Sequence, residues 1–100
     1  MNGVERSVCR ACGWRGFPLR LWCPSCLADG LTTETVLAGA VEDATTLRRA
    51  PGRTLAAPVQ LGTVLLEGGG RVIARLEGVA PGERARLWTD AGAPVARPWR

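Results

Sequence analysis

The sequence predicts a mainly-β protein in which a metal-binding segment, residues 1–34, precedes a small five-stranded barrel, residues 35–100. All four cysteines lie within the first 26 residues, in two Cys-x-x-Cys pairs. The remainder is rich in Val, Leu and Ala and shows no long helical periodicity. Glycine or proline interrupts it roughly every eight to twelve residues, a pattern typical of short strands joined by turns.

The two cysteine pairs, Cys9 with Cys12 and Cys23 with Cys26, predict a closed four-thiolate metal site. One tight turn can present both thiolates of a pair to the same ion, and the ten-residue spacer can form a hairpin that brings the turns together. Such a site is typical of structural zinc, which stabilises a fold and does no chemistry. Tetrahedral sulfur also suits iron, so an iron centre is the alternative.

The residue after each cysteine pair differs between the two turns. Gly13 follows Cys12 and can take the left-handed conformation that such a turn favours, whereas Leu27 holds the equivalent place after Cys26. We therefore expect a less ideal second turn. The nearby aromatic residues have two open interpretations: they cover the metal as a small core, or they dock a partner protein. These residues are Trp14, Phe17 and Trp22.

In the second segment the pattern predicts strands at 35–46, 57–67, 71–77 and 84–89, with a fifth at 93–97. Five strands is the number that an OB-fold requires. Gly39 and Gly62 are expected at bulges or bends that let the first two strands curl. Residues 47–56 are expected to form a loop around Pro51–Gly52, and Gly68–Gly70 a tight link.

A turn at 79–83 predicts a hairpin between the third and fourth barrel strands. It would pair Glu77 with Arg84 and Arg75 with Arg86, leaving the last two as uncompensated charge on a solvated face or at an anion site. The opposite face of this hairpin is expected to line the barrel interior. It carries Val72, Ala74, Leu76, Ala85 and Leu87.

Composition narrows the function classes. The chain has 13 arginines, no lysine, nine acids and no histidine, for a formal charge of +4. The missing lysine indicates the coding bias of a GC-rich bacterial genome, although arginines can still bind phosphate through their forked donors. Without histidine, and with every thiol assigned to a metal, catalysis by this chain alone is not expected.

The sequence also suggests a compartment. No apolar run approaches the roughly 18 residues of a membrane span, and the first residues lack the apolar core of a signal peptide. The cytoplasm is therefore the expected location. In that reducing compartment, paired cysteines bind metals more often than they form disulfides.

The order of motifs resembles a known family. It runs from CxxCG (Cys9–Gly13) through Gly-Phe-Pro-x-Arg (Gly16–Arg20) and CPxC (Cys23–Cys26) to a Leu-x-Glu-Gly motif followed by Arg-Val. This order resembles the acyl-CoA-associated family whose members join a rubredoxin-like zinc ribbon to an OB-fold, and the resemblance covers nearly the whole chain. Members usually carry a helical segment before the first cysteine. Only eight residues precede Cys9, so we expect a minimal docking subunit.

Members of that family resemble accessory subunits that work beside thiolase-like enzymes or MaoC-like enoyl-CoA hydratases in acyl-CoA, steroid and polyketide-type metabolism. The resemblance implies a structural zinc ion and a hetero-oligomer in which this chain supports the partner and helps to position a CoA-linked acyl group. The candidate docking residues are Trp14, Phe17, Arg20 and Trp22. The candidate contacts to CoA phosphates are Arg48, Arg49, Arg53, Arg71, Arg75 and Arg86.

Two alternative functions remain at this stage. Binding of single-stranded nucleic acid is the first, because zinc ribbons and OB-folds both occur in nucleic-acid proteins and the net charge is positive. Such barrels usually stack bases on aromatic side chains, whereas the predicted barrel has only Trp88 and Trp99. A rubredoxin-like electron carrier is the second, and a visible iron spectrum would reveal it.

Overall fold

The fold was analysed in a computed structural model that describes residues 3–17, 20–50 and 53–99, without the side chains of 49–50 and 53–57. The described residues form nine strands. None of the described residues belongs to a helix long and apolar enough to cross a membrane. The strands are β1 Val4–Cys9, β2 Arg15–Gly16, β3 Leu31–Val36, β4 Ala38–Val41, β5 Thr45–Ala50, β6 Arg53–Leu66, β7 Arg71–Leu76, β8 Arg84–Asp90 and β9 Ala93–Pro98.

The first three strands form a small antiparallel sheet in the order β2-β1-β3. The central strand β1 pairs with β3 along its whole length, from Val4 opposite Val36 to Cys9 opposite Leu31. β1 therefore ends at the first cysteine. The sheet ends at Val36 and β4 begins at Ala38; the predicted division between residues 34 and 35 stays a prediction.

Strands β4, β8, β9, β7 and β6 form a closed barrel, because β4 also pairs with β6. β7 and β9 are parallel, and the other pairs are antiparallel. The mainly-β class with a five-stranded OB-like barrel is thus confirmed. The predicted interior residues are buried at 5% exposure or less: Val72, Ala74, Leu76, Ala85 and Leu87.

The predicted hairpin between the third and fourth barrel strands is wrong, because β9 lies between β7 and β8. After β7 the chain runs to β4 and does not turn back to pair with β7. Gly82 donates its N–H to the carbonyl of Val41 at 2.8 Å, and Val41 donates to the carbonyl of Glu83 at 2.9 Å. The expected pairs of Glu77 with Arg84 and Arg75 with Arg86 therefore do not form.

The predicted first strand, 35–46, and the predicted loop, 47–56, also need correction. The predicted first strand is divided among β3, β4 and β5. β3 belongs to the small sheet, whereas β4 and β5 are separate strands of the larger sheet. The loop is a β-hairpin in which Ala50 lies opposite Arg53, so Pro51–Gly52 connects two strands; these two residues lie outside the described part of the chain. The backbone pairing on both sides of this dipeptide overrides the loop signal, which in a hairpin marks only the connection between the strands.

Gly39 and Gly62 are not bulges, because the pairing register runs through both without a shift. They permit close approach instead. A Cβ on Gly39 would lie 2.6 Å from the carbonyl oxygen of Leu65, and one on Gly62 would lie 2.3 Å from that of Asp43. Neither contact is sterically possible, so only glycine fits at these two positions.

A buried arginine joins the small sheet to the barrel. Arg6, whose side chain is 7% exposed, donates from Nε and Nη2 to Oε1 of Glu34 on the neighbouring strand, at 2.6 and 2.5 Å. Its Nη1 donates to the carbonyl oxygens of Glu67 and Gly69 in the turn between β6 and β7, at 2.5 and 2.6 Å. Because an unpaired buried guanidinium is very costly, these contacts determine where the turn lies against the sheet.

The two sheets also share a hydrophobic core. Val4 and Val36 of the small sheet belong to the same buried cluster as the barrel interior, and Phe17 packs against it. The turn approaches the sheet so closely that a Cβ on Gly70 would lie 3.2 Å from the Cα of Gly16. The small sheet and the barrel therefore form one packed unit.

We expect Arg6→Met to lower the free energy of unfolding by about 3 kcal/mol, because it leaves two carbonyl groups without their donor and leaves Glu34 with Arg15 alone, at 3.0 Å. Urea denaturation at neutral pH measures this. The control is Arg71→Met, which removes an ion pair to Glu42 from an arginine that is 64% exposed and should cost less than about 1 kcal/mol. Equal losses in the two variants would contradict the structural role of Arg6.

The hydrogen bond from Arg6 also holds the pKa of Glu34 below its ordinary value of 4.5. A lowered pKa in the folded state means that the ionised carboxylate stabilises the fold above about pH 4.5. That contribution is lost as the pH falls through the folded-state pKa. In Arg6→Met this part of the acid dependence should become smaller, because only Arg15 then pairs with Glu34.

Candidate metal centre and surrounding surfaces

The structure brings the four cysteines together. Their sulfur atoms all lie within 4.8 Å of one another, and the Cys9–Cys26 and Cys12–Cys23 pairs are 3.6 Å apart. A tetrahedral zinc ion with Zn–S bonds of about 2.3 Å would place its sulfurs about 3.8 Å apart. The cluster therefore has the ligand type and spacing to hold a metal ion such as zinc.

Two turns of matching geometry present the sulfurs. In the first, Cys9 donates its N–H to Trp14 O at 2.8 Å and accepts from Gly13 N–H at 2.9 Å. The second repeats the pattern with Cys23, which donates to Ala28 O at 2.8 Å and accepts from Leu27 N–H at 2.9 Å. In both turns the N–H of the first cysteine donates to the carbonyl five residues later, so the two turns share one geometry.

The residue after each pair takes the left-handed backbone conformation in both turns. Gly13 has a φ of 81° and Leu27 a φ of 65°. Glycine adopts this conformation without cost, whereas a side chain with a Cβ is strained by about 1–2 kcal/mol. Leu27 is also 75% exposed, so packing offsets little of that strain.

The thiols influence one another's ionisation. The backbone N–H of Cys12 lowers the pKa of Cys9 to about 7. Burial opposes ionisation of Cys23, but the N–H groups of Cys26 and Ser25 still lower its pKa. For Cys26 the N–H of Ala28 acts in the same direction, yet the surrounding sulfurs raise its pKa to about 12. Four negative sulfurs this close require a cation between them, and a divalent metal supplies it.

The predicted docking residues have different environments. Phe17 packs against the core. Trp14 is half-buried over Gly16, where an added Cβ would lie 2.3 Å from the indole, and the Arg20 guanidinium lies 6.0 Å from its ring. Trp22 is 61% exposed. The first two therefore contribute to structure, and Trp22 is available to a partner.

Two further exposed apolar residues flank the second cysteine turn: Leu21 directly precedes Trp22, and Leu27 directly follows Cys26. Leu21 is 81% exposed and Leu27 75%. We call Leu21, Trp22 and Leu27 the ribbon patch. The sequence pattern singled out Leu27 only for its backbone conformation and did not indicate the exposure of either leucine.

The arginines predicted to contact CoA lie on several strands and do not form one cluster. Arg71 donates to Glu42 at 2.8 Å, and Arg75 contacts Asp90 at 3.3 Å and Glu77 at 2.9 Å, so Arg75 is compensated. These bonds raise the pKa of both guanidinium groups. Arg48 is exposed on β5. Arg49 and Arg53 lie on the β5–β6 hairpin, with side chains outside the described part.

Arg86 has a different environment, which the sequence did not predict. Its guanidinium lies 4.8 Å from the centroid of the Trp99 ring, and that of Arg84 lies 3.9 Å away. Nε of Arg86 is buried and has no hydrogen-bond partner among the described residues. Trp99 thus covers this charge through cation–π contact and not through an acid.

Comparison with known proteins gives a consistent result. The family model for the C-terminal OB-fold domain of ChsH2 matches residues 37–100. A solved structure described as Ltp2-ChsH2(DUF35) aldolase is similar at 25% identity and a TM-score of 0.76, over 96% of this chain and 84% of that chain.

A second similar structure is a DUF35-family protein of unknown function from Sulfolobus solfataricus. Its identity is 20% and its TM-score 0.68, over 95% of this chain and 75% of that chain. No curated protein matches the sequence. The second likeness supports the fold alone.

We expect the purified chain to contain one zinc ion, because a closed four-thiolate site is typical of structural zinc. Elemental analysis by mass spectrometry should find zinc, and the protein should be colourless. Chelation should lower its melting temperature, because the cysteine turns lose the ion that holds them together. Stoichiometric iron with visible absorption would contradict this assignment.

Leu27→Gly should stabilise the metal-loaded chain by about 0.5–1 kcal/mol, since the relief of left-handed strain exceeds the stability lost through the greater freedom of the unfolded chain. Thermal or urea unfolding measures the change. The matched control at the equivalent position, Gly13→Ala, should destabilise by about 1 kcal/mol. A loss of stability in Leu27→Gly would show that the leucine side chain contributes more than the strain costs.

Proposed function

The chain belongs to the family defined by the C-terminal OB-fold domain of ChsH2, and from this we propose that it is a non-catalytic accessory subunit of an acyl-CoA enzyme. The partner is of the thiolase-like or hydratase type, and the complex works in the cytoplasm. The observation that carries the proposal is the likeness, over 96% of the chain, to a structure whose name joins ChsH2(DUF35) to Ltp2 as an aldolase.

The side chains available for chemistry support a non-catalytic role. The chain has no histidine, and its four thiols lie in the metal cluster. Five of the nine acids form ion pairs with arginines. Two more, Asp43 and Glu83, accept hydrogen bonds from backbone N–H groups. We therefore assign general acid–base chemistry to the partner.

The ribbon patch supports a docking role. Three large apolar side chains that are 61–81% exposed flank the second cysteine turn in the sequence. Exposed aromatic and aliphatic residues grouped in this way are typical of interface cores. We propose that Trp22 and Arg20 contact the partner, and that Trp14 and Phe17 support them from the side of the core.

We propose that zinc in the four-cysteine cluster has a structural role. It would hold the two turns that carry Arg20, Trp22 and Leu27 in a fixed geometry before the partner binds. A preformed surface loses less conformational entropy on association than a flexible loop does. The chemistry of the complex then needs no open coordination position on this metal.

Contact with CoA phosphates remains part of the proposal, but the six arginines are not equivalent in it. Arg71 and Arg75 would have to exchange an acid for a phosphate. Arg48 is exposed on β5, and Arg49 and Arg53 lie on the same hairpin, with side chains outside the described part. Trp99 covers one face of the Arg86 guanidinium, so an anion would have to approach this group at its edge. Among the arginines with described side chains, Arg48 therefore has the lowest cost for binding an anion.

Tagged chain recovered from its native cells should bring with it a stoichiometric thiolase-like or hydratase-type enzyme, identified by mass spectrometry. The variant Leu21→Asp/Trp22→Asp should lose this enzyme and keep its metal, because charges replace the apolar contact. Leu65→Asp, at a leucine that is 38% exposed on the barrel, is the control and should keep the enzyme. A chain that emerges alone and monomeric would contradict the proposed function.

A further inference from the structure

The β5–β6 hairpin extends beyond the barrel. β6 pairs with β7 from Gln60 to Leu65, whereas Arg53, Thr54 and Val59 pair with β5 alone, and the register of this hairpin shifts between Leu47 and Arg49. We call residues 45–50 and 53–59 the arm. Among the described strands, β5 pairs with β6 on one side and with no strand on the other. Its outer edge therefore presents backbone donors and acceptors that another strand can join.

The arm carries most of the net charge of the protein. Residues 45–57 include Arg48, Arg49 and Arg53 and no acid. The other ten arginines and all nine acids lie elsewhere and nearly balance, so the arm supplies three of the four net positive charges. An exposed strand edge with this charge attracts an acidic partner and repels a basic one.

An apolar stripe runs from the arm onto the barrel. Leu47 lies opposite Val59, Leu61 follows two residues later on β6, and Ile73 lies on β7 opposite Thr63. Because alternate residues and cross-strand partners share a face, these side chains point the same way. Leu47 is 38% exposed and Ile73 66%.

A cavity of about 400 Å³ lies along this stripe at the base of the arm. Leu61 and Ile73 supply its apolar wall, and Asp43, Thr45 and Thr63 supply polar atoms at its rim. The free edge of the basic strand β5 is thus adjacent to the cavity, because Thr45 begins β5 and also lines the cavity.

We propose that the arm binds an extended acidic segment of the partner enzyme, which adds a strand to the outer edge of β5. Backbone hydrogen bonds to β5 hold the segment, its acids contact the arm arginines, and an apolar side chain fills the cavity. This inference rests on the proposed function, and names a second contact surface besides the ribbon patch.

A second copy of the same chain fits this edge poorly. Pairing of two β5 strands would bring Arg48 and Arg49 of one copy close to the same residues of the other, and no acid of either arm lies near to compensate. Like charges on neighbouring strands destabilise pairing. The charge of the arm therefore favours an acidic partner over self-association.

Hydrogen exchange of the full chain, alone and in the complex recovered from native cells, tests the inference. In the complex the amides of 45–50 should exchange at least about tenfold more slowly, because a new strand protects the β5 edge. Unchanged exchange in an intact complex would overturn the strand addition and leave the proposed function standing. Failure to recover any partner would overturn both.

Variants separate charge from packing. Arg48→Glu/Arg49→Glu/Arg53→Glu should weaken the complex about tenfold or more at low salt, whereas the three Arg→Lys changes should not. Leu47→Asp should also weaken it, and the matched Leu65→Asp, with the same 38% exposure, should not. Protection of 45–50 that rises with concentration in the isolated chain, together with a dimer mass, would assign the edge to a second copy and overturn the proposal.

Discussion

The buried guanidinium of Arg6 is the contact on which the arrangement of the molecule depends. It lies between Glu34 of the small sheet and two carbonyl groups of the β6–β7 turn. A charge in this position must be fully paired, so the sheet and the turn have little freedom to move apart. A Cβ on Gly68 would lie 2.7 Å from Nη2 of Arg6, which explains why that turn requires small residues. The metal centre and barrel therefore present their surfaces as one unit.

The local patterns in the sequence were informative where short-range chemistry decides the structure. Cysteine spacing indicated the metal cluster, and alternation indicated the barrel interior, because both depend on residues that are neighbours in the chain. Long-range pairing was not accessible in the same way. The turn at 79–83 suggested a hairpin, yet β9 arrives from the end of the chain to lie between β7 and β8. Nor does any local signal show that Arg6 is buried while Arg10 is exposed.

The two proposed contact surfaces differ in chemistry, and this difference suggests a different role in binding for each. The ribbon patch is apolar and lies around the second cysteine turn, so it would supply most of the binding free energy through burial. The arm is basic and has a free strand edge, so it would set orientation and association rate. Four of the acids on the barrel are already paired with arginines, and Asp43, at the base of the arm, accepts a hydrogen bond from the Thr63 N–H.

The central claim is that this chain contributes contacts and not chemistry to an acyl-CoA enzyme. The most direct measurement is turnover of acyl-CoA by the co-purified enzyme, assayed alone, with the metal-loaded chain added back, and with the chain by itself. The account predicts no turnover by the chain alone and a higher rate for the enzyme with the chain than without it. Turnover by the isolated chain, or an enzyme rate that does not change when the chain is added, would contradict it.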